Sequence, residues 1–152
     1  MKAAAIRRAR AGDAAGILAL EELFPSDRMS ARSARRFLRS ASAGVWVAAA
    51  SDTVAAALVL LMRRRARGAR IYSLAVDPSA RGQGLAKKLV RRAEAEARKR
   101  GFEHVSLEVR AGNTAARALY AGLGYTRAAR LPRYYDDGAP GLRLRRTLAG
   151  RR

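Results

Sequence analysis

The chain has 152 residues, no cysteine, one histidine, and 32 lysines and arginines against 12 acids, for a formal net charge of +20. That composition excludes a disulfide scaffold, a cysteine nucleophile and thiolate metal ligation, and with His104 standing alone no metal is expected. The hydrophobic share of 49% implies one folded domain over residues 1–152, while the lack of a membrane-length apolar run or a signal-peptide core implies a cytoplasmic location.

Residues 3–9, centred on Ile6, read as a first strand. Asp13 is placed to cap a helix that carries Ile17, Leu18, Leu20, Leu23 and Phe24 at helical spacing and stops at Pro25. Residues 29–42 read as a second helix, basic on most faces, anchored by Phe37 and Leu38. Residues 44–50 and 54–62 form a hairpin about the turn Ser51-Asp52-Thr53, with Trp46 as a core residue. A basic connection from Arg63 to Arg67 leads to a strand over residues 71–76.

Next comes the most informative stretch, Asp77-Pro-Ser-Ala-Arg-Gly-Gln-Gly-Leu85. It is followed by a helix to about Arg100 that buries Leu85, Leu89, Val90, Ala93 and Ala97. Glu94–Arg98 and Glu96–Arg100 are expected as i,i+4 pairs on its outer side. Residues 105–110 alternate as a half-buried strand with Glu108 on the face opposite Val105, Leu107 and Val109, and His104 sits at its entrance as a boundary residue. Asn113 caps a short helix through Tyr120 that ends at Gly122 or Gly124. Residues 125–131 and 142–148 are the last strands, joined by the loop from Pro132 to Pro140. The order is β-αα-βββ-α-β-α-ββ: an α/β chain with a mixed sheet, a parallel crossover and helices on both faces.

A strand, a glycine-rich turn and a helix start suit a bound phosphate. Glycine lets the backbone approach, the first helical N–H groups are unpaired, and the dipole is positive there. The Walker spacing is absent, because Lys87-Lys88 is followed by Leu89, and Gly82-x-Gly84 is only half of the dinucleotide fingerprint. A plain strand-to-helix turn without a ligand is the competing reading.

The triplet Arg81, Gly84, Ala86 matches R-x-x-G-x-A and resembles the coenzyme A pyrophosphate motif of the GCN5-related N-acetyltransferases. The later run Leu107-Glu-Val-Arg-Ala-Gly-Asn113, continuing through Leu119-Tyr120 to Gly124-Tyr125, is similar to that family too, in particular to its ribosomal-protein-alanine N-acetyltransferase type. The resemblance covers essentially the whole chain and implies acetyl-CoA as acetyl donor, without a metal. It implies that Leu74, Ala75 and Val76 bind the pantetheine arm, with strand N–H groups near Val76 facing the developing oxyanion. It implies that Arg81, Gly82, Gln83, Gly84, Leu85, Ala86 and Lys87 bind the pyrophosphate and that Asn113 contacts the cofactor. Tyr120 would be the general acid beside the thioester sulfur and Glu108 the general base, the amine attacking directly in a ternary complex. Each has a plainer alternative: Glu108 pairing with an arginine, Tyr120 as core, Asn113 as a cap.

Tyr134 and Tyr135 lie in a stretch, Arg133-Tyr-Tyr-Asp-Asp-Gly138, that resembles the peptide slot of protein N-terminal acetyltransferases; it departs from them after Gly138, where Ala139-Pro140-Gly141 follows. Glu21, Glu22 and Phe24 fall where the family's first helical loop borders that slot, and the two acids would attract a cationic acceptor. The acceptor implied is a protein N-terminal α-amine, with a small amine (amino acid, polyamine or aminoglycoside) as the alternative and a non-catalytic nucleic-acid-binding module as the remote one. The arginines at 28, 32, 35, 36, 39, 63–65 and 67 suit a ribosomal or RNA-bound substrate, or they reflect an Ala- and Arg-rich composition alone. No membrane partner is expected.

Overall fold

The computed structural model describes residues 4–24, 29–51 and 53–148. Its elements are β1 (Ala5–Arg8), α1 (Ala14–Glu21), α2 (Ala31–Arg39), β2 (Ala43–Ala50), β3 (Thr53–Leu61), β4 (Gly68–Val76), α3 (Leu85–Lys99), β5 (His104–Arg110), α4 (Thr114–Gly122), β6 (Thr126–Leu131) and β7 (Gly141–Thr147). This is the order read from the sequence. Ala3, Pro25, Arg28 and Asp52, to which that reading gave parts, lie outside the described residues.

Seven strands form one sheet in the order β1-β2-β3-β4-β5-β7-β6. β4 and β5, joined through α3, run parallel, and the other neighbouring pairs are antiparallel. The alternation of β2 explains the layering. Val45 and Val47 point to one face and pack with Ile17, Leu20 and Phe37 under α1 and α2. Trp46 and Ala48 point to the other and pack with Leu85, Leu89 and Ala93 of α3. The apolar stripe of α3 is buried as the spacing of its residues requires.

Three local expectations are corrected. Asp13 does not cap α1 with its side chain. A short 3-10 turn, Ala11–Asp13, precedes the helix, and the Asp13 carboxylate turns back to accept from the Arg10 N–H at 2.7 Å and from Arg7 at 2.8 and 2.9 Å. α2 is shorter than expected because Ser30 caps it, its Oγ accepting from the Ser33 N–H at 3.1 Å, and Ser40 leaves it in an extended conformation.

The third correction concerns Glu94, which does not pair outward with Arg98. It is 2% exposed and accepts from Tyr125 Oη at 2.7 Å, Arg91 at 2.8 Å and Arg146 at 3.0 Å. The local i,i+4 preference yields to donors from β7 and from the residue that precedes β6. The Glu96–Arg100 pair forms as expected, at 2.7 Å. Arg91 also donates to the Leu123 carbonyl at 3.2 Å, so this buried carboxylate ties α3 to the end of α4 and to β7. Glu94→Ala removes the buried charge itself and leaves Arg91 and Arg146, 39% and 29% exposed, to regain water, with the buried part of Tyr125 losing its acceptor. It is expected to lower unfolding free energy by about 1–3 kcal/mol in urea titration, and Tyr125→Phe by about 1–2 kcal/mol. Losses under about 0.5 kcal/mol for both, the size usual for surface changes, would show the network to be hydrated.

Candidate active site

β4 and β5 are paired over Gly68–Arg70 with His104–Ser106 and no further. Beyond that point the strands diverge, and a cavity of about 270 Å³ fills the fork. β4 contributes Arg70 to Leu74 to its wall and β5 contributes Leu107 to Arg110. The register between β3 and β4 steps from Val59–Ser73 to Leu60–Ile71, which leaves Tyr72 as the extra residue of a bulge and bends β4 at the mouth of the fork.

Six of the residues singled out in the sequence meet at this cavity: Leu74, Glu108, Asn113, Tyr120, Tyr134 and Tyr135. Glu108 stands opposite Arg143 in the β5–β7 ladder. Its side chain is 6% exposed, with Oε1 accepting from Arg70 Nε at 2.7 Å and Oε2 from Arg143 Nε at 2.8 Å. Each carboxylate oxygen has two acceptor sites, so one on each remains after these bonds. Burial works against the Arg70 cation, but the bond to Glu108, its charge and a smaller contribution from the Tyr134 hydroxyl outweigh it and raise the Arg70 pKa.

Tyr120 comes from α4, is buried, and meets the Tyr125 ring edge-on at 5.4 Å. Burial pushes its phenol well above the usual value, so the hydroxyl keeps its proton at ordinary pH. Asn113 caps α4, with Oδ1 accepting from the Ala116 N–H at 3.0 Å, and still lines the cavity. Tyr134 and Tyr135, from the β6–β7 loop, meet edge-to-face at 5.0 Å, and both N–H groups donate to the Ala139 carbonyl at 3.1 Å. Arg110 lies over the Tyr135 ring at 4.4 Å and pairs with Asp137 at 2.8 Å. The Asp137 carboxyl is held below its usual range by the Ala139 N–H first and by Arg110 second.

The remaining candidates lie elsewhere. Ala75 is buried in the core beneath α1 and α2, and Val76 packs partly buried against the opposite core. Arg81 to Gly84 form an exposed turn ahead of α3. Gly82 and Gly84 have φ of +84° and +74°, and nothing lies within 4 Å of where a Cβ would stand on either. A side chain is disfavoured there by the backbone, and the space above the turn is open. Glu21 is 6% exposed and does not line the cavity; it accepts from the Met29 N–H at 2.7 Å and from Ser73 Oγ at 3.1 Å. Phe24 is half-buried against the same core as α1.

Sequence reasoning missed Arg70, Arg143, Tyr72 and Ser73. The only sequence sign of the two arginines was an acid facing away from the apolar side of an alternating strand, a position that asks for donors on neighbouring strands. No group of three or more His, Cys, Asp or Glu side chains placed to hold a metal occurs among the described residues.

Residues 14–125 match the Acetyltransferase (GNAT) family. The chain belongs to this family. It is 43% identical over 67 residues to the ribosomal protein bS18-alanine N-acetyltransferase of Escherichia coli, over 44% of this chain and 45% of the relative. It is 43% identical over 75 residues to the N-alpha-acetyltransferase MAK3 of Arabidopsis thaliana, over 49% of this chain and 40% of the relative. The chain thus spans less than half the length of these curated relatives. The fold matches the crystal structure of the Escherichia coli ribosomal-protein-S18-alanine N-acetyltransferase with a TM-score of 0.86, at 24% identity, covering 98% of this chain and 96% of that one. It matches one chain of the crystal structure of the NatC complex bound to Gag peptide and CoA with a TM-score of 0.83, at 26% identity, covering 97% of this chain and 100% of that one.

The clamp on Glu108 has a structural consequence independent of any reaction. Arg70 and Arg143 are 40% and 42% exposed and regain water if it is lost, so Glu108→Ala is expected to destabilise by about 1–2 kcal/mol. Urea unfolding checks this. In a double-mutant cycle with Arg143→Ala, a coupling energy indistinguishable from zero would show the pair to be energetically idle.

Proposed function

We propose that this chain is an acetyl-CoA-dependent N-acetyltransferase whose acceptor is a protein N-terminal α-amine. The observation that carries the reading is the fork between β4 and β5, where a shielded carboxylate, a buried tyrosine hydroxyl and two loop tyrosines face one cavity. The names of the relatives support the N-terminal acceptor, and the bound CoA of the NatC complex supports the donor.

The donor supplies an acetyl thioester. For its pyrophosphate the chain offers the turn from Arg81 to Lys87. Among the described residues no backbone partner is found for the N–H groups of residues 82 to 87, which open onto the exposed side of the turn at the positive end of α3. Arg81 and Lys87 add full charges. Leu74, Ala75 and Val76 present the strand edge that β5 has left, where an extended amide-bearing arm finds donors and acceptors, and N–H groups near Val76 are suited to hold a developing oxyanion. Asn113 stands at the start of α4 beside that arm.

The acceptor must arrive neutral. An α-amine has a pKa near 8, so roughly a tenth is neutral at pH 7. Glu108, directly or through water, takes the ammonium proton on an oxygen site that its arginines leave open. Tyr120 donates to the sulfur as negative charge grows there. A thiolate has a pKa near 8.5, well below that of this buried phenol, so a hydrogen bond comes first and complete transfer is uphill. Tyr134 and Tyr135 form one wall for the N-terminus, while Phe24, packed under α1, stays behind the cavity's lining. Glu21 acts there by holding Met29 and Ser73 in place. The exposed arginines at 32, 35, 39, 64 and 65 suit a substrate borne on a ribosome or RNA. Turnover of a purified substrate protein that is indifferent to ribosomes, RNA and salt would remove that part of the reading.

Thiol release from acetyl-CoA with N-terminal peptides is the direct test. Glu108→Gln and Tyr120→Phe are each expected to slow kcat by roughly a hundredfold or more, with CoA affinity kept. Gly82→Ala is expected to weaken CoA binding by about tenfold through the strained φ alone. A protein with normal unfolding that gives no calorimetric signal with CoA would overturn the proposal. The pH profile adds a check with a definite sign. Tyr120 is needed protonated and its pKa is raised, so the fall of kcat on the alkaline side should lie above the ordinary phenol value of about 10. A limb near pH 8 that Tyr120→Phe abolishes would contradict its assigned role.

A further inference from the structure

A second cavity of about 270 Å³ adjoins the fork and shares Arg70 and Tyr72 with it. Its lining contains three arginines, Arg36, Arg63 and Arg70, and no acid. Two of the three are set on aromatic rings. The Arg36 guanidinium lies over Phe37 at 5.1 Å, Arg70 lies over Tyr72 at 5.8 Å, and the two rings meet edge-to-face at 5.0 Å. A guanidinium stacked on a ring keeps its N–H edge for an anion, in a fork that matches a carboxylate. Among the described residues no carboxylate pairs with Arg36 or Arg63, whereas Arg70 gives only its Nε to Glu108.

We infer that this cleft reads the residues immediately behind the acceptor amine and selects acidic ones, so that the substrates are proteins with Asp or Glu close to their N-terminus. The inference rests on the N-terminal acceptor reading above. A chain whose amine lies beside Glu108 and Tyr134 reaches Arg36 and Arg63 by continuing over Arg70 and Tyr72, which the two cavities share. The cleft is too small for a nucleic-acid duplex and shares Arg70 and Tyr72 with the reaction-site cavity. Both features favour a peptide over RNA. The side chains that line it carry no negative charge to welcome a basic peptide, while an acidic one meets up to three preset cations.

The test uses the intact chain, acetyl-CoA and three peptides that begin with the same alanine and carry two glutamates, two serines or two lysines at the second and third positions. The glutamate peptide is expected to have a kcat/KM about tenfold above the lysine peptide, with the serine peptide between, the gap resting in KM and narrowing as salt is added. Arg36→Ala and Arg63→Ala are each expected to cut the glutamate preference by about threefold and to leave the serine peptide unchanged. Neither residue belongs to the reaction site. Equal rates for the three peptides, or a preference for lysine, overturns the inference and leaves the N-terminal reading standing. A glutamate preference that survives Arg36→Ala and Arg63→Ala together removes it from this cleft. Inhibition by a short RNA that those two substitutions relieve, with no preference among peptides, assigns the cleft to nucleic acid. If no peptide reacts while CoA binds, the N-terminal reading fails and takes this inference with it.

Discussion

The parting of β4 and β5 after three paired residues is the constraint on which the rest of the site depends. A parallel ladder between these strands would satisfy their backbone groups and close the sheet. Ending it early leaves a strand edge whose N–H and C=O groups need other partners, and it makes the only place in the described chain where a ligand's amides can replace a missing strand inside the sheet. The fork does not stay open by chance. Tyr72 is extruded as a bulge where β4 bends away, and Arg70, the last β4 residue in the ladder, reaches Glu108 two positions past Ser106. Arg143 reaches the same carboxylate from β7. One buried anion therefore fastens three strands at the apex of the opening, so the cavity widens from a fixed hinge.

That fastening bears on chemistry. A carboxylate held by two guanidinium groups keeps its position, and in the proposed reaction that position orients the acceptor ammonium. The arginines approach through Nε, one on each oxygen, and leave one acceptor site on each. Tyr120 is held differently. It is buried without a charged partner, its proton retained by desolvation, and its ring is braced edge-on by Tyr125, whose hydroxyl is anchored on Glu94. Carboxylate and phenol thus line one cavity in different environments, the first held by two cations and the second shielded from water.

Local patterns carried the elements and much of the site. Alternation through Val105, Leu107 and Val109 placed Glu108 on the uncovered face of β5, the Asn113 cap placed α4, and two glycines placed the turn before α3; all of these are near-neighbour rules. What stayed hidden were partners far along the chain. Arg70 is 38 residues from Glu108 and Arg143 is 35 beyond it, and only the strand order brings them together. Glu94 shows the same limit from the other side. The helical i,i+4 rule offered it Arg98, worth a few tenths of a kcal/mol in water, and the fold instead buries it against Arg146, 52 residues away. Glu21 was legible as an acid at the end of the first helix, but not as a buried acceptor for Met29 and Ser73, because that needs β4 to pass beneath α1.

The acids of this very basic chain follow a pattern that its composition conceals. Glu21, Glu94 and Glu108 are its inward-facing carboxylates among the described residues, and each has donors from at least two separate segments. An unpaired buried charge would cost several kcal/mol, so each acid is retained only where the fold supplies those donors, and each in turn fixes a junction: α1 to β4, α3 to β7, and β4 to β5 and β7. The surplus of arginine makes such pairing easy to supply. It also leaves guanidinium groups over, and one of them, Arg36 on the Phe37 ring, stands beside the fork. The positive charge of this chain is therefore partly internal scaffolding for its carboxylates and partly a directed field at the mouth of its site. Only the second part responds to salt over a Debye length, which separates the two experimentally without any substitution.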